Sequence, residues 1–343
     1  MADGISPNGR AQTRRHRPRP GSPVAWPDDF GTRFTLFVDT EEEFDWTAPF
    51  DSASRSTSAM AALPDGHKRL CEGGGAPVYL IDHPVATAPA AIDALREVVA
   101  NGGAVGTQLH PWVNPPIQEA ICATNSFPGN LPEQLEAAKL DTLTDEIARA
   151  FGTAPRIYRA GRYGIGPATA RLLADRGYRI DSSMRSRYDY GGHGGPDFRA
   201  VGNHAFWLDR RAGLAELPLT TVFTGRVRAG GERLYRFLGE IPRGRGLFAR
   251  TGMMARVAMT PEDMPLDDAL EAIRVALGEG VRVLNFSFHS PSLTPGFTPY
   301  VRDAADLKAF YGWWDAVFAL LARRNVQAAS QSDLIVALDR IRA

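Results

Sequence analysis

The chain has 343 residues, with 39 Lys and Arg against 39 Asp and Glu, and is 44% hydrophobic, 9% aromatic and 23% charged. This is the composition of a folded globular protein, long enough for one large α/β domain or two average ones. A net charge of zero argues against a general nucleic-acid binder, which needs a basic surplus to neutralise phosphates. The two cysteines, Cys71 and Cys122, cannot make a disulfide framework and fit a reducing compartment as buried small residues.

Residues 1–30 differ in kind, with five Arg, five Pro and almost no aliphatic side chains. They lack the apolar run of about 7–15 residues that a secretory signal needs. No stretch of about 18 apolar residues, the length of a membrane span, occurs elsewhere. The expectation is a disordered basic tail outside the fold, with tethering to an anionic surface as the sharper alternative, and a cytoplasmic location.

From Arg33 the chain alternates, and residues 31–343 are expected to form one domain. Arg33–Asp39 is an apolar run ending in acids and reads as a buried strand. Pro77–Asp82 is a second strand, Ala88–Ala100 a helix closed by Asn-Gly-Gly, and Ala104–His110 a third strand. Pro132–Phe151 is a long helix, Arg156–Arg159 a strand, Gly166–Arg176 a helix stopped by Gly177, and Tyr178–Asp181 a strand. Residues 185–260 are irregular and rich in Gly and Arg, with strand-like pieces at Ala205–Leu208 and Ala215–Leu219. Then come a helix (Leu266–Gly278), a strand (Val281–Phe288), a helix (Ala304–Arg324), a short strand before Ser330 and a last helix (Gln331–Arg342). Repeated strand–helix units imply parallel strands with right-handed crossovers, hence a barrel or a doubly wound sheet.

Polar residues cluster where these strands end. Asp39, Asp82, His110, Arg159, Asp181 and His289 each sit at or just past a predicted strand C-terminus, the face on which a (β/α) barrel builds its site. Asp39 and Glu41 share a face on a period of two, which suits either a hard-cation site or a base beside a metal ligand. Glu42 and Glu43 then face solvent. His110, followed four residues later by Asn114, makes a plausible chelating loop, although a carboxamide oxygen is a weaker ligand than imidazole. Arg159 can lock a carboxylate through paired hydrogen bonds. Asp181 reads as a cap or as the acid that orients His289 for proton donation.

Taken in order, Val-Asp39-Thr-Glu41, Leu-His110-Pro-Trp-Val-Asn114, Tyr-Arg159-Ala-Gly, Asp181-Ser-Ser and Phe-Ser-Phe-His289 resemble the five motifs of the polysaccharide deacetylase family. That family is also called NodB-homology or carbohydrate esterase 4, and the Thr-Glu-Glu-Glu-Phe-Asp-Trp and Gln-Leu-His-Pro-Trp stretches are most like its WalW-type branch. The resemblance spans about residues 33–335 and implies a distorted (β/α) barrel with fewer than eight strands. It also implies metal-assisted hydrolysis of an N-acetyl, less often O-acetyl, group on a carbohydrate in polysaccharide or exopolysaccharide metabolism. Asp39 would be the base toward a metal-bound water, Glu41 and His110 ligands, Arg159 the clamp on Asp39, and His289, oriented by Asp181, the acid. Asn114 stands where the family carries a second histidine and completes the expected ligand set, with His83 as a substitute and His193 and His204 as more remote ones. The implied cofactor is a divalent metal, zinc first, with cobalt or manganese as alternatives. Trp46, Trp112 and Tyr163 are the aromatic faces for a sugar ring. A silent relative that binds glycan or scaffolds a biosynthetic complex is the alternative that Asn114 favours.

Overall fold

The computed structural model describes residues 16–45 and 48–342. The first apolar run forms β1 (Arg33–Thr40), and α1 (Leu63–Glu72) leads into β2 (Pro77–Ile81). Asp82 then accepts from the Val85 amide and caps the short α2 (His83–Thr87). The units α3 (Pro89–Ala100), β3 (Ala104–Leu109), α4 (Glu133–Phe151), β4 (Ile157–Ala160), α5 (Thr169–Asp175) and β5 (Ile180–Asp181) follow. Gly152 ends α4 in the left-handed conformation that a residue without Cβ adopts freely.

The irregular centre holds β6 (Phe206–Asp209), β7 (Leu214–Glu216), β8 (Thr221–Thr224), α6 (Gly231–Glu240), α7 (Gly244–Arg250) and β9 (Ala255–Ala258). The sequence expectation contains neither α6 nor α7, because glycine and arginine at this density hide a helical period. The chain closes with α8 (Leu266–Gly278), β10 (Val283–His289), α9 (Ala304–Arg323), β11 (Gln327–Ala328) and α10 (Gln331–Arg342). No helix among the described residues is long and apolar enough to cross a membrane.

The main sheet runs β10-β1-β2-β3-β4-β5-β7-β6, with β11 beside the start of β1 and only the β6 edge antiparallel. It curls into a half-barrel, and the β8–β9 ribbon lies across the gap between β7 and β10. Asn285 ties that gap shut. Its amide nitrogen donates to the Leu217 carbonyl and to Ser182 Oγ, both at 2.8 Å, and its oxygen accepts from Thr35 Oγ1 at 3.0 Å.

A period of two sorts β1 between two cores. Leu36 and Val38 face the helices, whereas Phe37 points into the barrel with Val78, Leu80, Ile157 and Ile180. Trp26 and Phe30, stacked at 4.8 Å, belong to that inner core together with Leu334 and Leu338 of α10. This corrects the expectation for residues 1–30: the disordered tail does not extend to residue 30. Ser22 and Val24 exchange backbone hydrogen bonds with Trp207 and Ala205, and Val24, Trp26 and Phe30 are buried. A few apolar side chains suffice here, because the half-barrel leaves its inner core to be covered; residues 1–15 lie outside the described residues.

Candidate active site

The parallel register sets Asp39 beside His289 at the C-terminal ends of β1 and β10. Next to them opens a cleft of about 340 Å³, lined among others by Asp39, Glu41, Gln108, His110, Arg159 and His289. Asp39 is buried, and one of its oxygens takes the Arg159 guanidinium at 2.5 Å while the other lies 3.9 Å from His289 Nε2. Arg159 is fixed in turn by the Ser182 carbonyl at 2.9 Å and Ser182 Oγ at 3.1 Å. The clamp expected from sequence is therefore formed.

His289 departs from expectation in its partner. Its Nδ1 lies 2.6 Å from Glu262, which also accepts the His289 backbone amide at 3.0 Å. Burial opposes the charged imidazole, but Glu262, Glu41 and Asp39 outweigh it and raise the group to about 10. Asp181, expected to orient His289, instead stands in register with Glu216 on the neighbouring strand and accepts from Ser183 Oγ. Burial raises both carboxyls, Asp181 to about 7, so that the pair holds a proton. Neither Asp181 nor Glu216 lines the cleft.

Glu41 and His110 meet at the cleft floor, Glu41 Oε2 lying 3.5 Å from His110 Nε2 and 3.4 Å from the Gln108 amide nitrogen. Burial pushes Glu41 up to about 7 against the pull of His289 and His110. The opposite edge of His110 is gripped from behind: Nδ1 lies 2.9 Å from Glu42 and 3.8 Å from Asp82. Glu42 is fully buried, contrary to the solvent-facing expectation, and also accepts Trp112 Nε1 at 2.8 Å while its backbone amide donates to Asp82. Period-two reasoning fails for Glu42 because the strand ends at Thr40. Burial raises Glu42 to about 7 and Asp82 well above the usual carboxylate range.

Glu42, Asp82 and His110 thus converge as a buried triad whose donor atoms lie within 4.8 Å of one another, a grouping that could hold a metal ion. Glu41, His110 Nε2 and Gln108, whose Oε1 is buried without a hydrogen-bond partner, form a second grouping that faces the cleft. Both donor sets, carboxylate oxygens plus one imidazole, suit a divalent cation.

Asn114 does not line the cleft. It is wholly buried one turn past His110, its amide nitrogen donating to the carbonyls of Pro115 at 2.7 Å and Lys139 at 2.9 Å, while its Oδ1 has no hydrogen-bond partner. His83 is not in the cleft lining either; burial and the Arg55 and Lys139 cations lower it to about 4, so it is neutral. His193 and His204 are exposed and away from the cleft. Trp112 stacks on His110 at 4.3 Å and lines the cleft with Phe44 and Phe50; Trp46 lies outside the described residues.

Tyr163 also lines the cleft, and both it and Arg162 hold the left-handed backbone, at φ 61° and 54°, a cost that clusters at functional sites. Arg162 donates to Ser126 Oγ at 2.6 Å, and Arg185 lies over the Tyr188 and Tyr163 rings. Neither arginine is paired with a carboxylate among the described residues.

No protein-family model matches this chain, and neither does any curated protein. Among solved structures, a Mycobacterium smegmatis protein described as a "putative polysaccharide deacetylase" has TM-score 0.50 and 19% identity, with 94% of each chain covered. The fold is of the NodB, polysaccharide-deacetylase type. A family 4 carbohydrate esterase from Streptomyces lividans, solved with acetate, aligns at TM-score 0.43 and 11% identity over 89% of this chain and 95% of its own. Peptidoglycan deacetylase PdaC from Bacillus subtilis aligns at 0.40 and 10%, over 90% and 92%.

Besides Glu42, two residues in contact with the cleft groups, Gln108 and Glu262, are absent from the sequence expectation. Gln108 shares the period-two face of His110 and was there to be found. Glu262 follows the unrecognised β9, and nothing local marks it.

Proposed function

We propose that this cleft hydrolyses an acetyl group, N-linked or less often O-linked, from a carbohydrate with the help of a divalent metal, and that the chain is a WalW-type member of the NodB family. The observation that carries the reading is Asp39 held between Arg159 and His289 at the edge of a cleft whose floor is Glu41 and His110. A pure binder needs no such pairing of a fixed carboxylate with a proton-bearing imidazole.

Glu41 and Nε2 of His110 would hold the ion, zinc, cobalt or manganese, with Gln108 beside them. The buried triad is the less apt position, since Glu42 and Asp82 do not line the cleft and their oxygens already accept hydrogen bonds. Glu42 then serves by fixing the ring of His110, as carboxylates behind metal-bound histidines do. The bound metal would polarise the acetyl carbonyl and lower the pKa of water.

Asp39, held in place by Arg159, takes a proton from the attacking water as its oxygen joins the carbonyl carbon. His289 delivers its Nε2 proton to the leaving nitrogen as the C–N bond breaks, and Glu262 stabilises the imidazolium until then. Acetate and a free amine result. Trp112 and Tyr163 offer faces for the sugar, and Arg162 and Arg185, which meet no carboxylate among the described residues, favour a substrate with an acidic substituent.

Acetate release from N-acetylated oligosaccharides, in the presence of each metal in turn, tests this. Asp39→Asn and His289→Ala should each lower kcat by about 100-fold or more. Unchanged turnover in both would remove the mechanism.

A further inference from the structure

Within the Arg- and Gly-rich centre, the stretch from Arg226 to Arg250 has no part in the chemistry above. Between Arg226 and Arg250 the chain carries seven arginines against two glutamates. Arg226, Arg228, Arg233, Arg236, Arg243, Arg245 and Arg250 are all exposed, and none is paired with a carboxylate among the described residues.

Three of the six large apolar side chains exposed among the described residues lie in the same segment: Phe237 (57%), Ile241 (42%) and Leu247 (60%). The inward face is satisfied separately, with Leu234, Leu238 and Phe248 packing on Phe223 and Met254 of the β8–β9 ribbon. The α6–α7 hairpin is therefore amphipathic twice over, with a second apolar set turned to solvent in a segment of exposed arginines, of which Arg245 donates to the Tyr235 carbonyl.

Few partners match both halves. A second copy of this face would set like charges against each other, and nucleic acid has no use for an exposed phenylalanine, isoleucine and leucine on a helical hairpin. A bilayer of anionic lipid takes both, its headgroups pairing with the arginines and its acyl boundary taking the apolar tips. We propose that the α6–α7 hairpin is a membrane-surface anchor that docks the protein on anionic phospholipid.

The anchor connects to the cleft wall through two intervening side chains. Tyr235 of α6 packs under Arg256, whose guanidinium lies 3.6 Å from the Tyr188 ring centroid, and Tyr188 carries the cleft-lining Arg185.

The test is co-sedimentation of the full chain with vesicles of phosphatidylcholine alone and of phosphatidylcholine with 30% phosphatidylglycerol, at low and high salt. The N-terminal basic tail is kept in every arm. The wild-type chain should sediment with the anionic vesicles, at least fivefold more than with neutral ones, and salt should release it. Arg233→Gln/Arg236→Gln/Arg243→Gln and Phe237→Ser/Leu247→Ser should each cut the bound fraction at least fivefold, with unchanged circular dichroism and melting. Binding that survives both variants overturns the proposal, as does a failure to bind anionic vesicles. So does a concentration-dependent dimer abolished by Phe237→Ser/Leu247→Ser, or a preference for a DNA oligonucleotide over the vesicles. None of these outcomes depends on whether the cleft releases acetate.

Discussion

Two carboxylates on the cleft residues do their work through a histidine. Glu42 holds Nδ1 of His110 and so decides which nitrogen faces the cleft, and Glu262 does the same for His289. Glu42→Gln should weaken divalent-metal affinity about 10–100-fold, measured by competition with a chromophoric chelator, while the fold's circular dichroism is unchanged. Glu262→Gln should lower kcat with little change in KM, since it supports the imidazolium without lining the cleft. The sequence shows the pieces these residues serve: Asp39, Glu41, His110, Arg159 and His289 all end strands, and the structure gathers them at one cleft. It hides the supports, because Glu42 follows a strand end where alternation stops and Glu262 comes from a separate ribbon far along the chain. Asn114 keeps a chelating spacing from His110 but lies off the cleft lining, with its amide nitrogen bonded to backbone carbonyls and its Oδ1 without a hydrogen-bond partner.

At the scale of elements, paired strands create groups whose protonation is tied to folding. Asp181 and Glu216 stand side by side on β5 and β7, both raised by burial above an unfolded carboxylate at about 4. The folded chain holds a proton there that the unfolded chain releases, so this contribution to stability is complete below about pH 4 and is lost as pH rises through about 7. The melting temperature should accordingly drop across that window, and Glu216→Gln should flatten the drop; an unaltered slope would show that the pair does not share a proton. The inner core gives a second check. Trp26 stacks on Phe30 among Leu334 and Leu338 of α10, so Trp26→Ala should cost about 3 kcal/mol in urea unfolding. A tail outside the fold would cost nothing. Regular elements such as α8 and α10 are legible to the residue, because apolar spacing and capping act locally. The burial of Trp26 is not, because it depends on a half-barrel interior that forms only when β1 to β7 are assembled.

For the whole molecule, curling a parallel sheet brings strand ends from residue 39 to residue 289 onto one face and leaves a gap that Asn285 and the β8–β9 ribbon cover. The fold class follows from alternating strand and helix signals, whereas the covering ribbon and the α6–α7 hairpin lie in the glycine- and arginine-rich stretch where periodicity gives no purchase. The proposed chemistry needs a cleft-facing ion held by Glu41 and His110 rather than by Asn114 or the buried triad. The measurement that tests it most directly is calorimetric titration of the metal-free protein with zinc, in the wild type and in Glu41→Ala, His110→Ala, Asn114→Ala and Asp82→Asn. One ion per chain should bind, be lost in Glu41→Ala and His110→Ala, and be retained in Asn114→Ala and Asp82→Asn. Full binding in Glu41→Ala together with loss in Asp82→Asn would move the ion to the buried triad and contradict the cleft chemistry.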